Sequence, residues 1–228
     1  MKYAYQYAVT DGHLIAVVDK LRCLIDTVAP TSVSDTTPFK FAGRSQPVEH
    51  SYMGVSCVSL SADVGAHIDA LVGADILNQY DMLIDPSAST ITLSDEPQSL
   101  EGETIVLDEF MGIPIIQASV ADQSIRMFFD TGAKLSYLDP VIIRAFRDAG
   151  PEQDFYPGVG KFRTQTFTVP ISVGTEEIFL RVGVLPQLLQ MTLMIADTSG
   201  ILGTAILGNH IVCFAPRRQS MILKKWET

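Results

Sequence analysis

The 228-residue sequence predicts an all-β chain made of two related halves. Three observations predict it. Short apolar runs of four to nine residues alternate with turn signals along most of the chain, which is the pattern of many short strands. Two sequence blocks recur in the same order, one copy in each half. Between the copies lies Ser94–Glu103, polar and holding Asp95, Glu96, Pro97, Glu101, Gly102 and Glu103, which reads as a linker. The expected units are residues 1–97 and 98–228.

The elements follow in order. Tyr3, Tyr5, Tyr7 and Val9 alternate with Ala4, Gln6 and Ala8, a period-two strand with one aromatic face. Asp11-Gly12 turns the chain into a strand over Leu14–Val18, and Asp19-Lys20 turns it again into Leu21–Ile25, which ends on Asp26. Beyond Val33 the signals weaken. Ser34–Pro38 and Gly43–Pro47 read as loops, and Tyr52–Leu60 as a strand. Ile68–Val72 is apolar and leads through Gly73 to a short helix over Ala74–Tyr80, with Asp75 in its first turn. Met82–Ile84 and Thr90–Leu93 form a hairpin around Asp85-Pro86-Ser87-Ala88-Ser89.

After the linker the pattern restarts. Thr104–Leu107, Ile113–Val120 and Ile125–Phe129 are strands, the last ending on Asp130. Asp139–Gly150 reads as a helix, with an Asp cap, Pro at its first position and Gly just past its end. Lys161–Val173 and Ile178–Leu185 are strands, and Ile201–Leu207 repeats the apolar-Gly-helix signal. The terminal strands, Tyr3–Val9 and Ser220–Lys224, are expected to meet in a sheet that bridges the halves, with Trp226 fixing the last strand against the other half.

The recurrence has two parts. Leu21–Thr27 aligns with Ile125–Thr131 at an offset of 104, and Leu71–Leu77 with Ile201–Leu207 at an offset of 130. The second alignment continues without a gap through Pro86 and Pro216 to Leu93 and Leu223. Each half thus holds an apolar strand ending in Asp-Thr, then an apolar pair followed by Gly.

The run Met127-Phe128-Phe129-Asp130-Thr131-Gly132-Ala133 places one carboxylate at the mouth of a buried strand, and Leu24-Ile25-Asp26-Thr27-Val28-Ala29 is its imperfect copy. With the helix, hairpin and apolar-apolar-Gly signals that follow, each half resembles a lobe of the retropepsin-like aspartic proteases. The whole chain resembles a small pepsin-type bilobal protein. The resemblance implies an aspartic endopeptidase with Asp26 and Asp130 as a catalytic pair. Two carboxylates held that close cannot both ionise, so they share one proton; the ionised one activates water and the other protonates the peptide carbonyl. Thr27 and Thr131 would cross-link the loops beneath the pair, and Gly132 would let a backbone N–H reach its carboxylate. The nucleophile is water, so no cofactor is implied, and the substrate is an extended peptide bound between the lobes under a flap.

Two departures stand out. Val28 occupies the position of Gly132, and a β-branched residue is conformationally stiff. From Asp26 to Gly73 is 47 residues, whereas from Asp130 to Gly203 is 73. The extra length predicts a full flap in the second half only, with Gly158, Val159, Gly160 and Phe162 as its substrate-facing residues and a short hairpin or open loop near Gly43–Tyr52 in the first. These departures sustain a rival, a peptide-binding module of the same fold without turnover.

Composition narrows the rest. Hydrophobic residues make up 47% and charged residues 18%, enough for a real core. The net charge is −10 with no Lys/Arg-rich run, which argues against nucleic acid. Cys23, Cys57 and Cys213 sit in apolar runs without paired spacing and read as buried thiols. No apolar run reaches the roughly 18 residues of a membrane span, and Met1–Val9 lacks the apolar core of a signal peptide. A cytoplasmic monomer is therefore expected, dimerisation of whole chains being the alternative. Asp75 and Asp85 read as structural, since Ala205 and Ala215 stand opposite them. His13, His50, His67 and His210 lack metal-ligand spacing. Gly158-Val159-Gly160 precedes a strand and lacks the rest of a dinucleotide fingerprint. The run Val184–Met191 reads as core packing.

Overall fold

Tight turns organise the first half into hairpins. β1 (Lys2–Thr10) passes to β2 (His13–Val18) through Asp11-Gly12, with φ of 46° and 83°. β2 passes to β3 (Leu21–Ile25) through Asp19-Lys20, with φ of 48° and 75°. Positive φ at both turn residues gives the twist that antiparallel partners need. The computed structural model describes residues 1–156 and 159–226, and the chain is predominantly β.

The first half continues with β4 (Val33–Ser34), β5 (Phe39–Phe41), β6 (Arg44–Gln46), helix α1 (Cys57–Val64), β7 (Ala70–Val72), the helical turn α2 (Ala74–Leu77), and the hairpin of β8 (Asp81–Asp85) and β9 (Thr90–Ser94). The second half runs β10 (Thr104–Phe110), β11 (Ile113–Val120), β12 (Gln123–Phe129), β13 (Ser136–Leu138), α3 (Pro140–Ile143), β14 (Arg147–Tyr156), β15 (Gly160–Val173), β16 (Glu176–Gly183), α4 (Gln187–Ile195), β17 (Gly200–Leu202), a 3-10 turn over Thr204–Gly208, β18 (His210–Ala215), a second over Pro216–Arg218, and β19 (Ser220–Lys225).

One six-stranded sheet joins the halves in the order β1-β9-β8-β18-β19-β10. The terminal strands β1 and β19 share this sheet, as the sequence suggests, but do not touch in it. The junction is β8 against β18, with Val212 opposite Ile84 and Phe214 opposite Met82. Trp226 is tied back to Asn209 of its own half. A continuous core runs under the sheet through both halves, from Ile25, Ile84 and Leu93 to Phe129, Phe214 and Leu223.

Three sequence expectations are overturned. Tyr52–Leu60 is not a strand, because Ser56 caps a helix there. Its hydroxyl accepts from the Ser59 amide and the Ser59 hydroxyl accepts from the Ser56 amide, a reciprocal capping box. Cys57, Leu60 and Val64 face the core at helical spacing while Val58 is exposed. The helix expected over Asp139–Gly150 is one turn, Pro140–Ile143, capped by Asp139. The chain then becomes β14, the ten-residue antiparallel partner of β15, and Gly150 sits at a β-bulge with φ of 83°. The run Val184–Met191 is only half core: Leu185 and Leu189 are buried, whereas Leu188 and Met191 lie on the outer face of α4. The three cysteines are buried free thiols.

Candidate active site

The two Asp-bearing strands are built alike, and the reason is local. β3 lies between β2 and the parallel β7, and β12 between β11 and the parallel β17. The last three residues of each are buried on both faces: Cys23, Ile25, Met127 and Phe129 lie in the main core, and Leu24 and Phe128 in separate clusters on the other side, which is why both strands end in a continuous apolar run. The two sequence offsets hold bond by bond. The Asp26 amide donates to Val72 O, and the Asp130 amide to Leu202 O. The Gly73 amide donates to the Ser32 hydroxyl, and the Gly203 amide to the Ser136 hydroxyl. Ala74 N–H reaches Ala29 O at 2.7 Å, and Thr204 N–H reaches Ala133 O at 3.0 Å. A Cβ at Gly73 would overlap the Ala29 carbonyl oxygen, so this close crossing needs glycine.

At the mouths of these strands the two loops lock together. The Thr27 hydroxyl donates to Phe129 O at 2.6 Å and accepts from the Thr131 amide at 3.1 Å. The Thr131 hydroxyl donates to Ile25 O at 2.8 Å and accepts from the Thr27 amide at 3.2 Å. Both threonines are buried, at 0% and 1% exposure, and each satisfies its hydroxyl and its amide across the junction.

Above this grid each carboxylate accepts two backbone N–H groups on one oxygen. Asp26 Oδ1 accepts from Val28 (2.9 Å) and Ala29 (2.8 Å), and Asp130 Oδ1 from Gly132 (2.8 Å) and Ala133 (3.0 Å). Val28 therefore donates as Gly132 does and keeps a negative φ, so the β-branched residue fits this loop. Its side chain packs on the second-half cluster of Ile115, Phe128, Leu135 and Tyr137. Gly132 lies directly against the Asp26 carboxyl group, where a Cβ would overlap it.

Burial raises the pKa of both carboxyl groups. For Asp26 the Ala29 and Val28 amides and the His13 ring pull the other way. Asp130 stands well above the ordinary aspartate range, because the charges of Asp26 and Asp154 add to burial. Asp130 is raised the more strongly of the two.

The long hairpin β14–β15 closes over this region and reaches the first half. Phe155 packs on the cluster that includes Leu24, Leu60 and Val64, and Lys161 Nζ donates to Ala62 O at 3.2 Å. Tyr137 donates to the buried Asp154. Burial, then the charges of Asp130 and Asp26, push the Tyr156 phenol up. A groove of about 290 Å³ runs between the hairpin and α1, lined by Val55, Leu60, Asp63, Tyr156 and Val159 among others. In the stretch of the first half between Asp26 and Gly73 the hairpin is the short β5–β6, with three residues in each strand, and its Phe39 and Phe41 are buried in the main core.

Thus Asp26, Asp130, Thr27, Thr131 and Gly132 come together. Of the four hairpin residues singled out from sequence, Val159 and Gly160 line the groove and Phe162 packs on the Tyr137 ring with centroids 6.3 Å apart. Gly158 lies outside the described residues. Sequence reading missed Tyr156, Asp154 and His13. One signal was available for the first two: a strand as long as Lys161–Val173 favours an antiparallel arm of similar length before it, which competes with a helix over 147–150. His13 carried no comparable signal.

The chain matches no known family model and no curated protein sequence.

Proposed function

We propose that the protein is an aspartic endopeptidase whose two halves act as retropepsin-like lobes of a small pepsin-type fold, joined near Ser94–Glu103. The observation that carries this reading is the pairing of Asp26 and Asp130 at the ends of equivalent strands, over the reciprocal Thr27–Thr131 grid. The stronger upward shift of Asp130 supports one division of roles. Asp26 is the ionised member and takes a proton from water. The oxygen of that water attacks the peptide carbonyl carbon while Asp130, the protonated member, gives its proton to the carbonyl oxygen. Collapse of the tetrahedral diol then breaks the C–N bond as the amine leaves with a proton from the pair. No cofactor enters this cycle. The substrate is an extended peptide seated between the lobes beneath β14–β15, with Tyr156 over the reacting bond. A monomer acting on peptides in the cytoplasm is the corresponding setting.

The test is cleavage of a diverse peptide library from about pH 3 to 7 by the wild type, Asp26→Asn and Asp130→Asn. Each substitution is expected to lower kcat by at least about a thousandfold, since paired catalytic groups act as a unit. A folded wild type that binds peptides without cutting them at any pH would favour the rival, a non-catalytic peptide-binding module. That rival draws on Val28 in the glycine position and on the single long hairpin. Cleavage that survives both substitutions would move the site elsewhere.

A further inference from the structure

His13 is the buried titratable group nearest the pair that this chemistry leaves unused. It is 1% exposed and sits just past the Asp11-Gly12 turn of the first half, yet the hydrogen bond and the aromatic packing of its ring are with Gly132 and Phe155 of the second half. Its Nδ1 lies 2.8 Å from the Gly132 carbonyl oxygen. A carbonyl only accepts, so Nδ1 carries the proton and donates. The same peptide unit, Gly132–Ala133, offers its N–H to Asp130 Oδ1 at 3.0 Å. One peptide therefore connects imidazole to carboxylate in a donor chain, and such chains polarise their members.

The neighbouring contacts fix this arrangement. Lys134 Nζ pairs with Asp11 at 2.8 Å and with Glu152 at 3.4 Å, and the Thr204 hydroxyl donates to Gly12 O. The Phe155 ring covers the imidazole with centroids 5.1 Å apart, and Nε2 has no partner among the described residues. The charged groups around the ring are Asp26 at the end of β3, Asp154 and Glu152 on β14, and the Asp11–Lys134 pair. The first loop lacks this device. Ile113 occupies the matching place after the Met111-Gly112 turn, and among the described residues no side chain donates to the Val28 carbonyl.

We propose that His13 is a positioning residue for the carboxylate pair, holding and polarising the Gly132–Ala133 peptide so that Asp130 stays set against Asp26. The idea rests on the paired-aspartate reading, but its test does not require turnover. The pH titration of the Ala133 amide proton, followed by NMR, reports the carboxyl group to which it donates. In His13→Leu the midpoint is expected to rise by about half a pH unit, because the carboxylate loses support. His13→Asn, whose amide nitrogen stands where Nδ1 does, is expected to restore it. If the wild type cleaves peptides, kcat of His13→Leu should fall about tenfold with KM nearly unchanged, the rate equivalent of one net hydrogen bond, and His13→Asn should recover it. A folded His13→Leu protein with the wild-type midpoint overturns the proposal, as does a His13→Asn protein as impaired as His13→Leu. Absence of cleavage in the wild type alongside the shifted midpoint would count against the enzyme and for the brace.

Discussion

The loops Asp26–Ala29 and Asp130–Ala133 have the same backbone and different neighbours. Each carboxylate takes two amides on one oxygen, each threonine crosses to the other loop, and each strand has an equivalent parallel partner, β7 for β3 and β17 for β12. What differs is what surrounds them. The first loop carries Val28, which reaches across to the second-half cluster, and leaves Asp26 half-buried. The second carries Gly132 pressed on the Asp26 carboxyl, is braced by His13, lies under the long hairpin, and leaves Asp130 only 4% exposed. Repeated local sequence sets the grid, whereas unrepeated residues such as Asp154 help to raise the Asp130 carboxyl above that of Asp26.

The sharpest way to break this comparison is to exchange the unlike residues. Gly132→Ala places a Cβ against the Asp26 carboxyl, so peptide cleavage should fall about a hundredfold, the scale of a displacement of about an ångström at a reacting group. Val28→Gly removes no contact to a carboxylate and should change kcat by no more than about threefold. Equal losses in the two variants would mean that the loops are functionally alike.

The shared grid gives the next effect. Thr27→Ala and Thr131→Ala each remove a donated hydrogen bond and orphan a buried amide, for an expected loss of about 2–3 kcal/mol in denaturant unfolding. The double variant should lose less than the two single losses added together, because both residues serve one network. Strict additivity would separate the two loops. Val28→Gly should cost about 1–2 kcal/mol, from the lost packing and the freer unfolded chain, and a melting point unchanged from wild type would remove Val28 from the inter-half contact.

The smallest effect is a dependence on pH. The folded state holds the proton of Asp130 more tightly than the unfolded chain does. The stability it contributes is therefore complete below the unfolded pKa of about 3.9 and is lost as pH rises through the raised folded value. Asp130→Asn escapes that loss. Its thermal stability relative to wild type should climb between pH 4 and 7, and a difference independent of pH would contradict the raised carboxyl.

Much of this was legible in the sequence. β3, β11 and the hairpin β8–β9 were visible because strong period-two or continuous apolar runs meet clear turn residues. The Asp and Gly positions were visible because the chain states them twice. Helix α1 was not, since Val55, Cys57 and Val58 favour a strand locally and only the Ser56–Ser59 capping box, a short-range side-chain effect, selects the helix. The arm β14 was hidden behind a good helix start, Asp139-Pro140, whose signal extends one turn and no further. His13 was invisible because its role depends on a contact 119 residues away in sequence.

The most direct test of the account is a carbon-13 NMR titration of the aspartate carboxyl groups in wild type and in Asp26→Asn. Asp26 and Asp130 are expected to titrate in two linked steps, Asp130 losing its proton last, and Asp26→Asn is expected to leave Asp130 with a single step at lower pH, since one of the charges that raises it is gone. If Asp130 titrates in one step that replacement of Asp26 does not move, the two carboxylates are not a pair.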